Sequence, residues 1–551
     1  MSETPGSRVA YPIACAIAVL LVVATYSNHF HNAFHFDDSH TILNNAFIRS
    51  VGNIPLFFTD PSTFSVLPSN QSYRPLVTTT LAMDYWLGGG LNTLAFHVTS
   101  FSLFLVLCAF LVAFYRRVMD RALPDEANRW LALLAAAWYG LHPANAETVN
   151  YIIARSEILS TLGVVVALVM FARGGIARRY HLYLIPAVLG ILGKEAGAMF
   201  APLLLLYILF FEPDVPARAA WPAFVACFTT VGAAMLLATT YSPGGPSRWR
   251  YLLTQPFVML HYVRSLFLPL RLSADTQWPL VADPFDRRVL IGVAFIGVSL
   301  ALAWAASRRR ETRPIAFGIL WFFVALLPTS SLVPLAEPMN DHRMFFPFAG
   351  LMLAVVWAIW LAIRKYEVRS LKYEARSKYE RSYFRLRTSY LRVVAGAAVA
   401  MLLAMAYGTR QRNIVWRTEE SLWLDATIKS PDNGRGLMNY GVIQMNNGNL
   451  LLAGEYFERA LQYIPDYSYL HVNIAILKAA LGQRTEADRQ FREALRDDPN
   501  NPNSYTHYAR WLMSVGRTEE ARLYASRAVE LSPADVDARA LLDDLNGAGR
   551  P

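Results

Sequence analysis

Gly448-Asn449-Leu450-Leu451-Leu452-Ala453-Gly454-Glu455-Tyr456-Phe457-Glu458-Arg459-Ala460-Leu461-Gln462-Tyr463-Ile464-Pro465 is the stretch on which the reading of the fold turns. Its punctuation returns twice. Gly448 is followed by Gly482 and Gly516, Ala453 by Ala487 and Ala521, Ala460 by Ala494 and Ala528, and Pro465 by Pro499 and Pro533, each step being 34 residues. Small residues are needed where two helices cross closely, and a proline ends the second helix because it lacks an N–H and crowds the preceding turn. The spacing predicts stacked helix hairpins. Ala426 and Pro431 carry the register back by one period, so 416–429 reads as the second helix of a partial repeat and 537–546 as a capping helix.

A 34-residue unit with a turn glycine, two crossing alanines and a closing proline is the tetratricopeptide (TPR) pattern. Stacked units form a concave, quasi-one-dimensional surface suited to peptides and proteins. The repeat domain so read spans 436–551, after a connector at 409–435. Upstream the composition is different. The chain of 551 residues is 54% apolar and 17% charged, against about 25% charged for soluble proteins. Apolar segments near the length of a bilayer crossing recur through 1–408. The expected spans are 9–26, 92–115, 129–142, 147–172, 180–193, 196–211, 219–241, 288–306, 315–333, 344–363 and 392–408. The fold class is therefore all-α: a polytopic membrane domain of about eleven helices followed by a soluble solenoid. Spans 129–142 and 180–193 are short, which suggests tilted or broken helices lining a cavity. Cys15, Cys108 and Cys227 all fall in apolar runs and read as small buried hydrophobes, with neither a disulfide framework nor a zinc site.

Basic residues fix the orientation. Arg116, Arg117, Arg121 and Arg129 follow the second span; Arg173, Arg178 and Arg179 follow the fourth; Arg218 precedes the seventh. Arg308, Arg309, Arg310 and Arg313 follow the eighth, and 364–392 holds ten Lys/Arg against three Glu. All fall on one side if the N-terminus is cytoplasmic, as the positive-inside rule requires. The Tyr-rich basic run 364–392 reads as a topogenic loop lying on acidic lipid headgroups, not as a nucleic-acid patch. The opposite side holds a first loop at about 27–91, the turns at His142-Pro143 and Lys194-Glu195, the loops 242–287 and 334–343, and the repeats.

The polar residues that could carry chemistry gather on that opposite side. They include Phe34-His35-Phe36-Asp37-Asp38-Ser39-His40, Tyr73-Arg74-Pro75-Leu76, His142 through Glu157, Lys194-Glu195, and Glu337-Pro338-Met339-Asn340-Asp341-His342-Arg343. Carboxylates at the mouth of a membrane bundle usually serve substrates or ions. Clustering at span ends on one face suits an interfacial active site better than a path across the bilayer, and no inverted repeat supports a transporter.

In this order, the Asp-Asp loop, Tyr-Arg-Pro-Leu at 73–76, His-Pro…Glu-Thr-Val…Ala-Arg-Ser-Glu at 142–157, Lys-Glu at 194–195 and the terminal repeats resemble the transmembrane and tetratricopeptide-repeat O-mannosyltransferases. These belong to the GT-C superfamily of lipid-phosphosugar-dependent glycosyltransferases. The resemblance covers nearly the whole chain. The array of about three and a half repeats is short for the family, and the run 337–343 departs from its animal members.

The resemblance implies transfer of a sugar, mannose or similar, from a polyprenyl-phosphate donor to Ser/Thr hydroxyls of extracytoplasmic proteins, with inversion. A carboxylate must then take the hydroxyl proton. Asp37 and Asp38 are the candidates, with Asp37 preferred because it aligns with the first acid of the family's paired-acid loop; adjacent residues in an extended loop point apart, so only one acid can face the acceptor. The leaving phosphate needs cations; Arg343 beside His342 and then Lys194 are the choices. Glu147, Glu195, Arg74 and Arg155 are candidates for sugar or acceptor binding, Arg74 and Arg155 alternatively as partners of Asp84, Glu147 or Glu157. No three-ligand metal spacing is visible. Asp37 with Glu147 could share a divalent cation, and His31, His35 and His40 lie near the acids, but no cofactor is indicated. The expected partners are the donor lipid, membrane lipids and an acceptor protein held by 436–536. The expected location is a bacterial inner membrane with site and repeats in the periplasm, or the endoplasmic reticulum with a lumenal site. A lipid or polysaccharide acceptor and a non-catalytic scaffold are the alternative readings.

Overall fold

The computed structural model describes residues 5–238, 247–331, 334–374, 380–533 and 535–547. Among them every regular element is helical. The chain divides into two compact units, Met1–Ala274 with Trp278–Thr418, and Asp275–Gln277 with Glu419–Pro551.

Among the described residues of the first unit, seven helices are long and apolar enough to cross a membrane, as expected of a membrane protein. They coincide with the expected spans beginning at 9, 92, 147, 219, 288, 344 and 392. The other four expected spans are the shorter helices Asn128–Leu141, Leu184–Gly193, Phe200–Phe211 and Arg313–Leu326. A ten-residue helix is about 15 Å long, half of a hydrocarbon core of about 30 Å. Leu184–Gly193 therefore does not cross alone.

The expected single span 147–172 is interrupted. Asn145–Asn150 ends where Tyr151 turns extended, a short turn Ile152–Ala154 follows, and the long helix restarts at Arg155–Arg173. The sequence explains the break: Asn150 spends its side-chain amide on Ala146 O at 2.8 Å and on Asn413 Oδ1 at 2.8 Å. Asn side chains compete with the helix for backbone partners, and the β-branched Ile152 and Ile153 follow. This break sets the first-loop acids beside the bundle.

Helices Arg313–Leu326 and Phe345–Glu374 meet through glycines. A Cβ at Gly350 would lie 2.5 Å from Trp321 Cβ, and one at Gly318 would lie 2.3 Å from Gly350 O. Apolar side chains gain nothing from leaving lipid, so such backbone proximity is what holds membrane helices together. The buried core around this crossing contains Trp321, Phe317, Phe346 and Trp357. The role expected of the basic run 364–392 falls, for most of its side chains, outside the described residues.

In the second unit the repeat hairpins are Gly434–Asn446 with Leu450–Leu461, Ser468–Ala480 with Arg484–Asp497, and Pro502–Ser514 with Thr518–Leu531. The partial-repeat helix is Glu419–Lys429 and the cap is Val536–Gly547. The three period glycines sit in the hairpin turns at φ +83°, +74° and +82°, a conformation glycine adopts without a Cβ clash. All six period alanines are 0% exposed, at the helix crossings where the spacing places them.

Candidate active site

The acid pair lies in a tight helical turn, not in an extended loop. Phe36 has φ +49°, and the amides of Asp38, Ser39 and His40 donate to the carbonyls of His35, Phe36 and Asp37. The backbone here is not extended as expected, but the two side chains still diverge. Asp38 is 0% exposed. Its Oδ2 accepts from the His35 amide at 3.1 Å and its Oδ1 from the Ile153 amide at 3.0 Å. Its side chain makes no capping bond to the turn that follows. Asp38 therefore fastens the loop to the interrupted helix. Burial raises its carboxyl to about 7, against the backbone bonds that pull the other way.

The Asp37 side chain is 52% exposed. Its Oδ1 lies 3.2 Å from His40 Nε2, and its backbone N–H donates to Tyr151 Oη at 3.1 Å. Burial alone would raise this carboxyl, but His40, Tyr151 and Asn70 together hold it below its ordinary value of 3.8. It is ionised at neutral pH. His40 is itself fixed, its Nδ1 being 3.0 Å from Ser65 Oγ and its Nε2 3.3 Å from Asn70 Nδ2. His35 Nε2 instead meets the Trp416 carbonyl at 2.7 Å, and burial lowers that ring to about 4, so it stays neutral. His35 and His40 thus serve separate partners, and among the described residues no group of three or more His, Cys, Asp or Glu could hold a metal ion.

A second set of groups is assembled from distant parts of the chain. His342 Nδ1 lies 3.0 Å from Glu147 Oε1, and Lys194 Nζ lies 2.5 Å from Glu157 Oε1. Arg74 Nη2 is 3.6 Å from Glu195 Oε1. The side chain of Asn340 caps the short turn Asp341–Met344 through the His342 amide, which sets both His342 and Arg343. Arg343 Nη1 donates to the Glu337 carbonyl at 2.8 Å, while the Glu337 carboxylate is 3.9 Å away. Lys194, Arg343 and Arg74 all lie within electrostatic reach of the His342 ring. The two sets share one element: Glu147 is on Asn145–Asn150 and its carbonyl accepts the Tyr151 amide at 2.8 Å.

The contacts decide between alternatives left open for these residues. Arg155 is 0% exposed; Nη1 is 2.6 Å from Asp84 Oδ2, Nε donates to Ser100 Oγ at 2.9 Å and Nη2 to the Phe96 carbonyl at 2.7 Å. It pairs with Asp84, one of the structural partners expected for it. Arg343, His342 and Lys194, expected to cradle the phosphate, each already have a carboxylate-bearing partner, in Glu337, Glu147 and Glu157. Of these groups Arg343 has the most distant carboxylate partner, at 3.9 Å. Sequence reasoning passed over Tyr151, Ser65 and Asn70. Only the His40 contact carried a local signal, since three residues separate it from Asp37.

Tetratricopeptide-repeat family models match 434–467 and 472–536. The chain is 22% identical to the Caenorhabditis elegans protein O-mannosyl-transferase F38B6.6, over 82% of this chain and 63% of that protein. It is 21% identical to Drosophila melanogaster Tmtc3 over 89% of this chain and 59% of that one. It is 23% identical to human TMTC1 over 86% of this chain and 58% of that one. The chain is TMTC-like. It spans about six tenths of the length of these relatives, each of which is named as a protein O-mannosyl-transferase.

Proposed function

We propose that this chain is a membrane glycosyltransferase that moves mannose or a similar sugar from a polyprenyl-phosphate to a Ser/Thr hydroxyl of an extracytoplasmic protein. One observation carries the reading. Of two adjacent carboxylates at the mouth of the bundle, one is spent on holding the loop while the other is exposed, ionised and held in place. In the proposed reaction the acceptor oxygen bonds to the anomeric carbon as the bond from that carbon to the phosphate oxygen breaks, its electron pair leaving with the phosphate. The hydroxyl proton passes to Asp37. A carboxylate held below 3.8 is a weak base, which suits a transition state in which the bond to the leaving group is largely broken and the acceptor has become acidic. Arg343 offers guanidinium donors to the departing phosphate, with Lys194 as the second cation of the network and His342 as a hydrogen-bond partner of Glu147.

The repeats would hold acceptor protein near the membrane and raise its effective concentration. The positive-inside pattern supports a periplasmic site if the membrane is the bacterial inner membrane. Purified full chain, a mannosyl polyprenyl-phosphate and a Ser/Thr-rich acceptor test the reading. Wild type should transfer and Asp37→Asn should not, at unchanged folding. Transfer surviving both Asp37→Asn and Asp38→Asn would remove the catalytic assignment. Mass spectrometry of extracytoplasmic proteins with and without the gene identifies sugar and acceptor, and a change confined to glycolipid would redirect the reading to a lipid acceptor.

A further inference from the structure

The Asp37 turn packs near the N-terminal ends of Thr93–Ala122 and Arg155–Arg173: Phe34 meets Phe96 with ring centroids 5.5 Å apart, and the Ile153 amide binds Asp38. Further along the same two helices lies a cavity of about 330 Å³ lined by Ala113, Arg116, Arg117, Asp120, Val169 and Arg173. Three guanidiniums therefore share one cavity with a single carboxylate. That carboxylate is already engaged, with Oδ2 3.6 Å from Arg116 Nε and Oδ1 accepting from Asn128 Nδ2 at 2.7 Å. Nearby Arg121 and Arg178 are taken up by Glu212, at 2.9 Å and 3.2 Å. Arg117 and Arg173 have no carboxylate partner among the described residues. A helix C-terminus contributes about half a negative charge, too little to cancel the surplus of two.

We propose that this cavity binds the phosphate headgroup of an anionic membrane phospholipid. Charge complementarity argues for a phosphate, whose oxygens match the forked donors of arginine. The apolar side of the lining argues for a lipid over a free ion. Ala113 stands one helical turn before Arg116 and Arg117, and Val169 one turn before Arg173, so the cavity continues from the guanidiniums onto the apolar part of two spans. A free phosphate leaves that part wet, whereas the glycerol and first methylenes of a phospholipid cover it. The site lies away from the Asp37 turn and does not depend on the proposed transfer reaction.

Native mass spectrometry of the full chain in neutral detergent tests this, using phosphatidylglycerol and phosphatidylcholine of matched chains. Wild type should retain phosphatidylglycerol and not phosphatidylcholine, and phosphatidylglycerol should raise its thermal midpoint. Arg117→Gln/Arg173→Gln should weaken that retention about thirtyfold, as loss of two basic contacts to an anionic lipid implies. Arg364→Gln/Lys365→Gln removes the same formal charge from a helix that does not line the cavity, and should change retention less than about twofold. Ala113→Trp fills the apolar side without altering charge and should also abolish retention, which keeps the test decisive if the arginine variant misfolds. Equal loss in both charge variants, wild-type retention in Ala113→Trp, equal binding of phosphatidylcholine, or full displacement by inorganic phosphate would each overturn the proposal.

Discussion

Replacing Asp38 by Asn separates the roles of the two acids. The Asp38 carboxylate is buried and accepts one amide from His35 and one from Ile153. Asn has a single acceptor oxygen, so one of these amides would face an NH2 group and lose its partner. A buried donor left unsatisfied costs about 1–3 kcal/mol, and a central value of roughly 2 kcal/mol corresponds to about thirtyfold in an opening equilibrium. Hydrogen exchange followed by mass spectrometry reads that opening locally. In Asp38→Asn, peptides containing His35 and Ile153 should exchange about thirtyfold faster, while peptides from 434–467 stay unchanged. Asp37→Asn should leave all of these peptides within about threefold of wild type, because its half-exposed side chain holds neither of the two buried amides that Asp38 binds. Comparable acceleration by both substitutions, or none by Asp38→Asn, would refute the division between an anchoring and a reactive acid.

The same peptides carry a pH signature. Asp38 is raised to about 7 from 3.8, so the folded state binds its proton more tightly than the unfolded state. Its contribution to stability is complete below pH 3.8 and is lost as pH rises through about 7, with the sign set by linkage. After correction for intrinsic rates, local opening should be easier at pH 8 than at 5.5, and Asp38→Asn should flatten that difference. His40→Phe should slow glycan transfer about tenfold or more by freeing Asp37, while His40→Gln recovers part of the rate; equal rates for the two would deny the positioning role. Arg155→Met leaves Asp84 buried without its cation, a loss of about 3–5 kcal/mol, visible as a collapse of monodisperse yield. Gly350→Leu should destabilise the membrane unit by several kcal/mol through overpacking against Trp321, beyond the usual ~1–3 kcal/mol because backbone is in the way, and detergent thermal unfolding measures it.

What the sequence disclosed follows from the range of each signal. The 34-residue period needs only composition at fixed intervals, and the glycine turns and alanine crossings stand where that period puts them. Long apolar runs likewise disclose membrane helices, but hydropathy is blind to a backbone break, so 147–172 read as one span although Asn150 and Tyr151 interrupt it. The site was legible as a list of residue types and not as pairs. Glu147 and His342 are separated by 195 positions, and Asp84 and Arg155 by 71, with several acids available to each base. Burial settles such choices: a charge at 0% exposure must be matched, and only the fold shows which carboxylate is within reach.

The Arg155–Asp84 pair also bears on how the protein is made. Arg155 opens a membrane-spanning helix, and a guanidinium entering the bilayer alone is costly. Every group that receives it (Thr80, Asp84, Phe96 and Ser100) lies earlier in the chain. Synthesis runs from the N-terminus, so the receiving pocket has already left the ribosome when Arg155 emerges. Chain order thus doubles as an insertion schedule, in which the first loop is a docking partner for a later helix before it serves any substrate. A variant that moved the acid downstream would keep the final pair and lose the timing.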